Sequence, residues 1–112
     1  MTDKQLIKIT TQFTKGIVGK RNKTDGYCFM VSAALQSYLN LLHGMRCELI
    51  EGEIRPKKGA AWNHFWLELE DGRILDPTAD QFKDPDGSDR PMVYIGKKPK
   101  WYIIPKFMKS VN

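Results

Sequence analysis

The alternation of apolar and polar residues opens on a helix. Leu6, Ile9 and Phe13 recur at helical spacing, and Thr2 with Gln5 three positions later makes a capping box. Residues Asp3 to Ile17 are therefore expected to be helical, ended by Gly16 and Gly19. The polar stretch from Lys20 to Gly26 reads as an exposed loop. Val31, Ala34, Leu35, Tyr38, Leu39 and Leu42 then outline the apolar face of a second helix. It runs from Tyr27 or Cys28 to about His43 and is capped by Gly44. This second helix is expected to be central and mostly buried.

Beyond Gly44 the periodicity changes. Arg46 to Ile54 has strand character, and Arg55 to Ala61 is a loop. From Asn63 to Glu70 large apolar residues alternate with polar ones, Asp71-Gly72 turns, and Arg73-Ile74-Leu75 runs back to Asp76-Pro77, which is the pattern of a β-hairpin. Ala79 to Pro91, rich in Asp, Gly and Pro, reads as a long loop. Met92 to Ile95 and Trp101 to Ile104 are two further short strands, and Lys106 to Asn112 is expected to fray. The expected class is α+β in a single domain over residues 1–112, with N-terminal helices packed on a small antiparallel sheet.

The hairpin brings chemistry into view. His64 lies near one end and Asp76 at the other, and the turn decides whether they meet. A two-residue turn with Glu70 opposite Arg73 would place Asp76 opposite Leu67, on the face away from His64. A three-residue loop of Glu70-Asp71-Gly72, with Gly72 in the left-handed conformation, places Leu69 opposite Arg73 and Trp66 opposite Asp76. His64 and Asp76 then share a face one diagonal step apart, within side-chain reach. The bulged loop is the expected one. A nucleophile for such a pair stands upstream. Cys28 begins the second helix, where the helix dipole favours thiolate over thiol. Cys28, His64 and Asp76 are the candidate catalytic set.

Composition narrows the setting. With 41% hydrophobic and 28% charged residues, the 112-residue chain is that of a folded globular protein. The apolar-rich segment from Cys28 to Leu42 is too short and too polar for a membrane span, and the N-terminus has no signal-type hydrophobic run, so a cytoplasmic location is expected. Two cysteines there read as thiols rather than a bridge. Cys47, inside a strand, reads as a small core residue, and His43 as a helix C-terminal residue favoured by the dipole. No metal-ligand set is formed and no cofactor is called for. The net charge of +5, with Lys97, Lys98 and Lys100 beside Trp101 and Tyr102, admits an acidic or nucleic-acid partner. Interspersed Asp and Glu and the absence of any nucleic-acid motif favour a solvated basic face instead.

Gly26-Tyr27-Cys28 before an apolar helix, Leu42-His43-Gly44-Met45-Arg46 into a strand ending near Gly52, then His64-Phe65-Trp66-Leu67-Glu68, Asp71-Gly72-Arg73 and Asp76-Pro77-Thr78 form an ordered series. Together they resemble the core of the transglutaminase-like branch of the papain-like cysteine enzymes, over roughly Gly26 to Thr78. The departures are Phe65, where that family carries Ala after its histidine, and a length far below that of full transglutaminases.

The resemblance implies a transglutaminase-like core with Cys28 as nucleophile, His64 as base and then acid, and Asp76 orienting the imidazole. Oxyanion donors would be the Cys28 N–H and, by offset from the glutamine that papain-like enzymes use, Asn22, with an indole N–H of Trp62 or Trp66 as a further possibility. Trp66 as core packing and Asn22 as a turn residue are the plain alternatives. Tyr27, Trp62, Asn63 and Trp66 are candidates for the substrate cleft, flanked by the loops 55–61 and 79–91. The expected function is a cysteine-dependent hydrolase of a protein or peptide amide, working through a thioester. Its rivals are transglutaminase-type acyl transfer and a catalytically silent basic binding module using Trp101 and Tyr102.

Overall fold

The computed structural model describes residues 1–19, 24–56 and 59–105. Helix α1 spans Asp3–Val18 and starts at the expected capping box, Thr2 Oγ1 accepting from the Gln5 N–H at 3.1 Å while the Thr2 N–H donates to Gln5 Oε1 at 2.9 Å. Gly16 does not end it: the helix runs on to Val18, and Gly19, with φ 74°, is the cap. The buried stripe also differs from the expected one. Leu6, Thr10, Thr14 and Val18 are buried, whereas Ile9 and Phe13 are half-buried. Of the two inward-facing threonines, Thr14 donates to the Pro77 carbonyl at 3.1 Å beside Asp76. Helix α2, Cys28–His43, ends at Gly44 in the left-handed region, as its pattern requires.

Five antiparallel strands follow: β1 Cys47–Ile54, β2 Trp62–Leu69, β3 Ile74–Asp76, β4 Tyr94–Gly96 and β5 Tyr102–Ile103. They form one curled sheet in the order β4-β3-β2-β1-β5. The α+β layout with two N-terminal helices is thus the expected one, and the long 79–91 loop contains only a short 3₁₀ turn at Ala79–Gln81. No helix among the described residues is long and apolar enough to cross a membrane.

The β2–β3 register settles the hairpin. Leu67 pairs with Leu75 and Glu68 with Ile74. The Leu69 N–H donates to the Arg73 carbonyl at 2.8 Å, and the Gly72 N–H, from a residue at φ 88°, to the Leu69 carbonyl at 3.0 Å. Three residues therefore make the loop, and its left-handed position is the glycine.

Both faces of the sheet are covered. Leu49, Leu67 and Leu75 pack with Leu35 and Leu39 of α2 and Leu6 of α1. Ile50, Ile54, Trp66, Ile74 and Tyr102 form a second cluster on the other face. That cluster depends on a gap in β1. Gly52 pairs with His64, and a Cβ on it would lie 2.2 Å from Trp66 Cη2 and 2.7 Å from the Ile103 carbonyl oxygen.

The two glycines predict opposite outcomes. Gly52→Ala forces Trp66 or β5 to move and is expected to cost about 1–3 kcal/mol or more in denaturant unfolding. Gly16→Ala, in an exposed helical turn with open space around it, is expected to stabilise by up to about 1 kcal/mol. Equal effects would mean that Gly52 is not the gap that seats Trp66.

Candidate active site

The register sets the first contact. His64 Nε2 lies 2.7 Å from Asp76 Oδ2, with both side chains wholly buried at 0% exposure. A carboxylate so placed needs donors for its lone pairs. Asp76 has three: His64 and the Tyr102 hydroxyl, at 2.5 Å, both on Oδ2, and the Thr78 N–H at 3.0 Å on Oδ1. Burial would raise the pKa of Asp76, but the charge and hydrogen bonds of His64, with Tyr102 and Thr78, hold it below the usual carboxylate range. Behind it Arg90 is also buried, its Nη1 donating to the Tyr102 oxygen at 2.5 Å and to the Ala79 carbonyl at 3.2 Å.

Since Nε2 is engaged with Asp76, Nδ1 is the nitrogen left for chemistry, and it is buried with no completed hydrogen bond. The Cys28 thiol lies against this ring. Burial pushes the Cys28 pKa up, but the hydrogen-bonding and charge of His64, then the N–H groups of Phe65 and Phe29, outweigh it and leave the thiol below its ordinary value. For His64, burial favours the neutral form, but Asp76 and then Cys28 push its pKa up to about 9. Each of the two groups thus favours the charged form of the other. Cys47 is the contrast: half-buried without such a partner, it is pushed up by burial to about 11. The expectation that it packs rather than reacts fits its place against the helix-side core.

Two segments hold the turn before Cys28 in place. Thr24 donates through its hydroxyl to Asp80, and the Gln81 amide donates back to the Thr24 carbonyl, so the turn before Cys28 is laced to the turn after Asp76. Cys28 is the first residue of α2, and its N–H therefore has no intrahelical acceptor and can serve an oxyanion.

Cys28 opens onto a cleft of about 840 Å³. The 55–61 loop contributes Pro56 and the 79–91 loop contributes Gln81 to Pro85 and Gly87, so the two expected loops do flank it. Trp62 and Asn63 line it as expected. Trp66 does not: on the same face of β2 as Trp62 and His64, it is fully buried in the second cluster, its ring 5.1 Å from that of Tyr102 and seated against Gly52. Tyr27 is half-buried at the start of α2 and is not part of the lining either. Asn22 lies outside the described residues.

The cleft also has in its walls Phe82, which carries no signal in the sequence, and Trp101, expected only as part of a basic aromatic surface. Phe82 meets the His64 ring edge-on at 5.0 Å. Tyr102 is not a partner-facing residue: with 0% exposure it is committed to Asp76, and the aromatic-basic surface of the binding-module alternative loses one of its two rings. The signal for Tyr102 was an aromatic inside a short terminal strand, but which strand it would join was not written locally.

No protein-family model, curated protein or solved structure matches the chain.

The two shifted groups make opposite contributions to stability as pH changes. His64, raised to about 9 from 6.5, stabilises the fold fully below about 6.5, and that contribution is lost as pH rises through 9. Cys28, lowered, contributes the reverse slope, gained above its folded pKa. In Cys28→Ser the compensating slope is gone, and the His64 slope remains through Asp76, reduced by the loss of the thiol's share. Denaturant unfolding of Cys28→Ser is therefore expected to lose stability more steeply than wild type as pH rises from 6.5 to 8.5. Parallel curves would mean that the thiol and the imidazole are not coupled.

Proposed function

We propose that the protein is a cysteine-dependent hydrolase of amide bonds, with Cys28 as nucleophile, His64 as acid and base, and Asp76 as the carboxylate that orients the imidazole. The observation that carries this reading is a half-exposed Cys28 thiol at a helix N-terminus, opening onto a cleft and set against an imidazole whose far nitrogen is 2.7 Å from a buried aspartate. Order and geometry together support a papain-like core of transglutaminase-like type, which the ordered sequence elements resemble.

In this mechanism the Cys28 thiolate attacks the carbonyl carbon and the oxygen becomes an oxyanion against the Cys28 N–H. The C–N bond breaks as His64 Nδ1 gives its proton to the departing amine, leaving a thioester on Cys28. Water then attacks the thioester carbon while Nδ1 takes its proton, and collapse releases the acid and restores the ion pair. Asp76 keeps Nε2 engaged throughout, so the ring cannot turn its working nitrogen away.

The cleft's character sets the acyl side of the substrate. Trp62 is 61% exposed beside Cys28, with Phe82, Trp101, Ile54, Pro56 and Pro85 around the same space. Large aromatics left exposed in a concave site bind apolar groups. A peptide amide with a bulky apolar residue on the acyl side is the best fit.

The test is a panel of fluorogenic peptide amides and glutamine side-chain amides, read by amine or ammonia release and by intact mass. Turnover of apolar members and a thioester adduct on Cys28 are expected, both abolished in Cys28→Ala. Trp62→Ala is expected to lower kcat/KM for apolar acyl donors roughly tenfold or more. An adduct that survives Cys28→Ala, or no acylation by any member, would contradict the reading.

A further inference from the structure

Asp76 Oδ2 accepts two hydrogen bonds, one from His64 Nε2 at 2.7 Å and one from the Tyr102 hydroxyl at 2.5 Å. Donors on the same oxygen compete, because each draws electron density that the other would use. Tyr102 is itself polarised: Arg90 Nη1 donates to its oxygen at 2.5 Å, which makes the phenol a stronger donor. The phenol stays protonated, since burial and the Asp76 charge hold its pKa well above the ordinary value.

An arginine at 8% exposure is costly to bury, and here it is stacked on Trp101 at 4.6 Å from the ring centroid, with Asp84 3.4 Å from its Nε. Trp101 and Asp84 both line the cleft, so the chain Arg90–Tyr102–Asp76–His64 runs from the cleft wall to the imidazole.

We propose that Tyr102 and Arg90 are positioning residues of the site, which share the charge of Asp76 Oδ2 with His64 and so keep the imidazolium acidic enough to give up its Nδ1 proton while the Nε2 proton stays on the carboxylate. This rests on the thiol-hydrolase reading above, in which His64 must hold a proton beside the thiolate and then release it to the leaving amine. With Asp76 serving His64 alone, the proton would be held more tightly and leaving-group protonation would slow.

Among the described residues, few groups face His64. They are Asp76 of β3, Cys28 of α2, and the rings of Trp66, Phe82 and Tyr102. Around Tyr102 stand Arg90 and Lys98, whose Nζ bonds the Tyr102 carbonyl at 2.6 Å. Removing the phenol hydroxyl, or the arginine charge behind it, should therefore move His64 in one direction, upward.

The test is a ¹⁵N NMR titration of His64 in the full chain, with His43→Asn for assignment. Tyr102→Phe keeps the ring that packs on Trp66 and is expected to raise the His64 pKa by about half a unit or more. Arg90→Met should shift it the same way by less. Site-specific 3-fluorotyrosine at position 102, a stronger donor of nearly the same shape, should shift it down, and this arm stands even if the other variants are unstable. No shift, or a fall toward 6.5 in Tyr102→Phe, would overturn the proposal, because the ring would then only pack or only hold the carboxylate in place. Shifts as expected in a protein that turns over no amide would sink the hydrolase reading and leave the charge sharing standing.

Discussion

The contact between His64 and Asp76 is the constraint on which the rest of the structure depends. Two ionisable side chains without solvent contact are tolerated only when each satisfies the other and the remaining lone pairs find donors. Removing one partner of such a pair costs about 3–5 kcal/mol, because the other is left buried and uncompensated. Much of the fold can be read as meeting this demand. The bulged hairpin loop puts the two residues on one face, Thr78 and Tyr102 complete the carboxylate, and Thr14 of α1 clamps the adjoining Pro77 carbonyl.

The same constraint links architecture to reactivity. With Nε2 committed to Asp76, the imidazole has a single working nitrogen, and α2 delivers Cys28 to it with the first turn of the helix. The lacing of Thr24 to Asp80 and Gln81 ties the turn before Cys28 to the turn after Asp76. The thiol is lowered although burial opposes it, and the imidazole is raised although burial opposes that too, so electrostatic pairing outweighs desolvation at both ends.

Local signals made much of this legible in the sequence. The capping box, the glycine after His43 and the glycine in the hairpin loop each demand one backbone conformation, and the helix ends and the β2–β3 register followed from them. Period-two alternation then placed His64 and Asp76 together. What remained hidden depends on contacts distant in sequence. Nothing near Tyr102 shows that β5 joins the edge of β1, and nothing in the Asp-rich 79–91 loop shows that Arg90 folds inward. Trp66 was ambiguous for a related reason: its destination depends on Gly52, fourteen positions upstream, leaving room for an indole. Buried Thr10 and Thr14 broke the apolar stripe of α1, which a hydrophobicity pattern alone cannot foresee.

The central claim is that Cys28 and His64 form an ion pair held by Asp76, and the rate of Cys28 alkylation by iodoacetamide against pH tests it most directly. Measured in a Cys47→Ser background, the thiol should react well below the free-cysteine pKa of about 8.5. That reactivity should be lost in His64→Ala, with the profile returning toward the free value. A slow Cys28 whose profile is unshifted and indifferent to His64 would contradict the account.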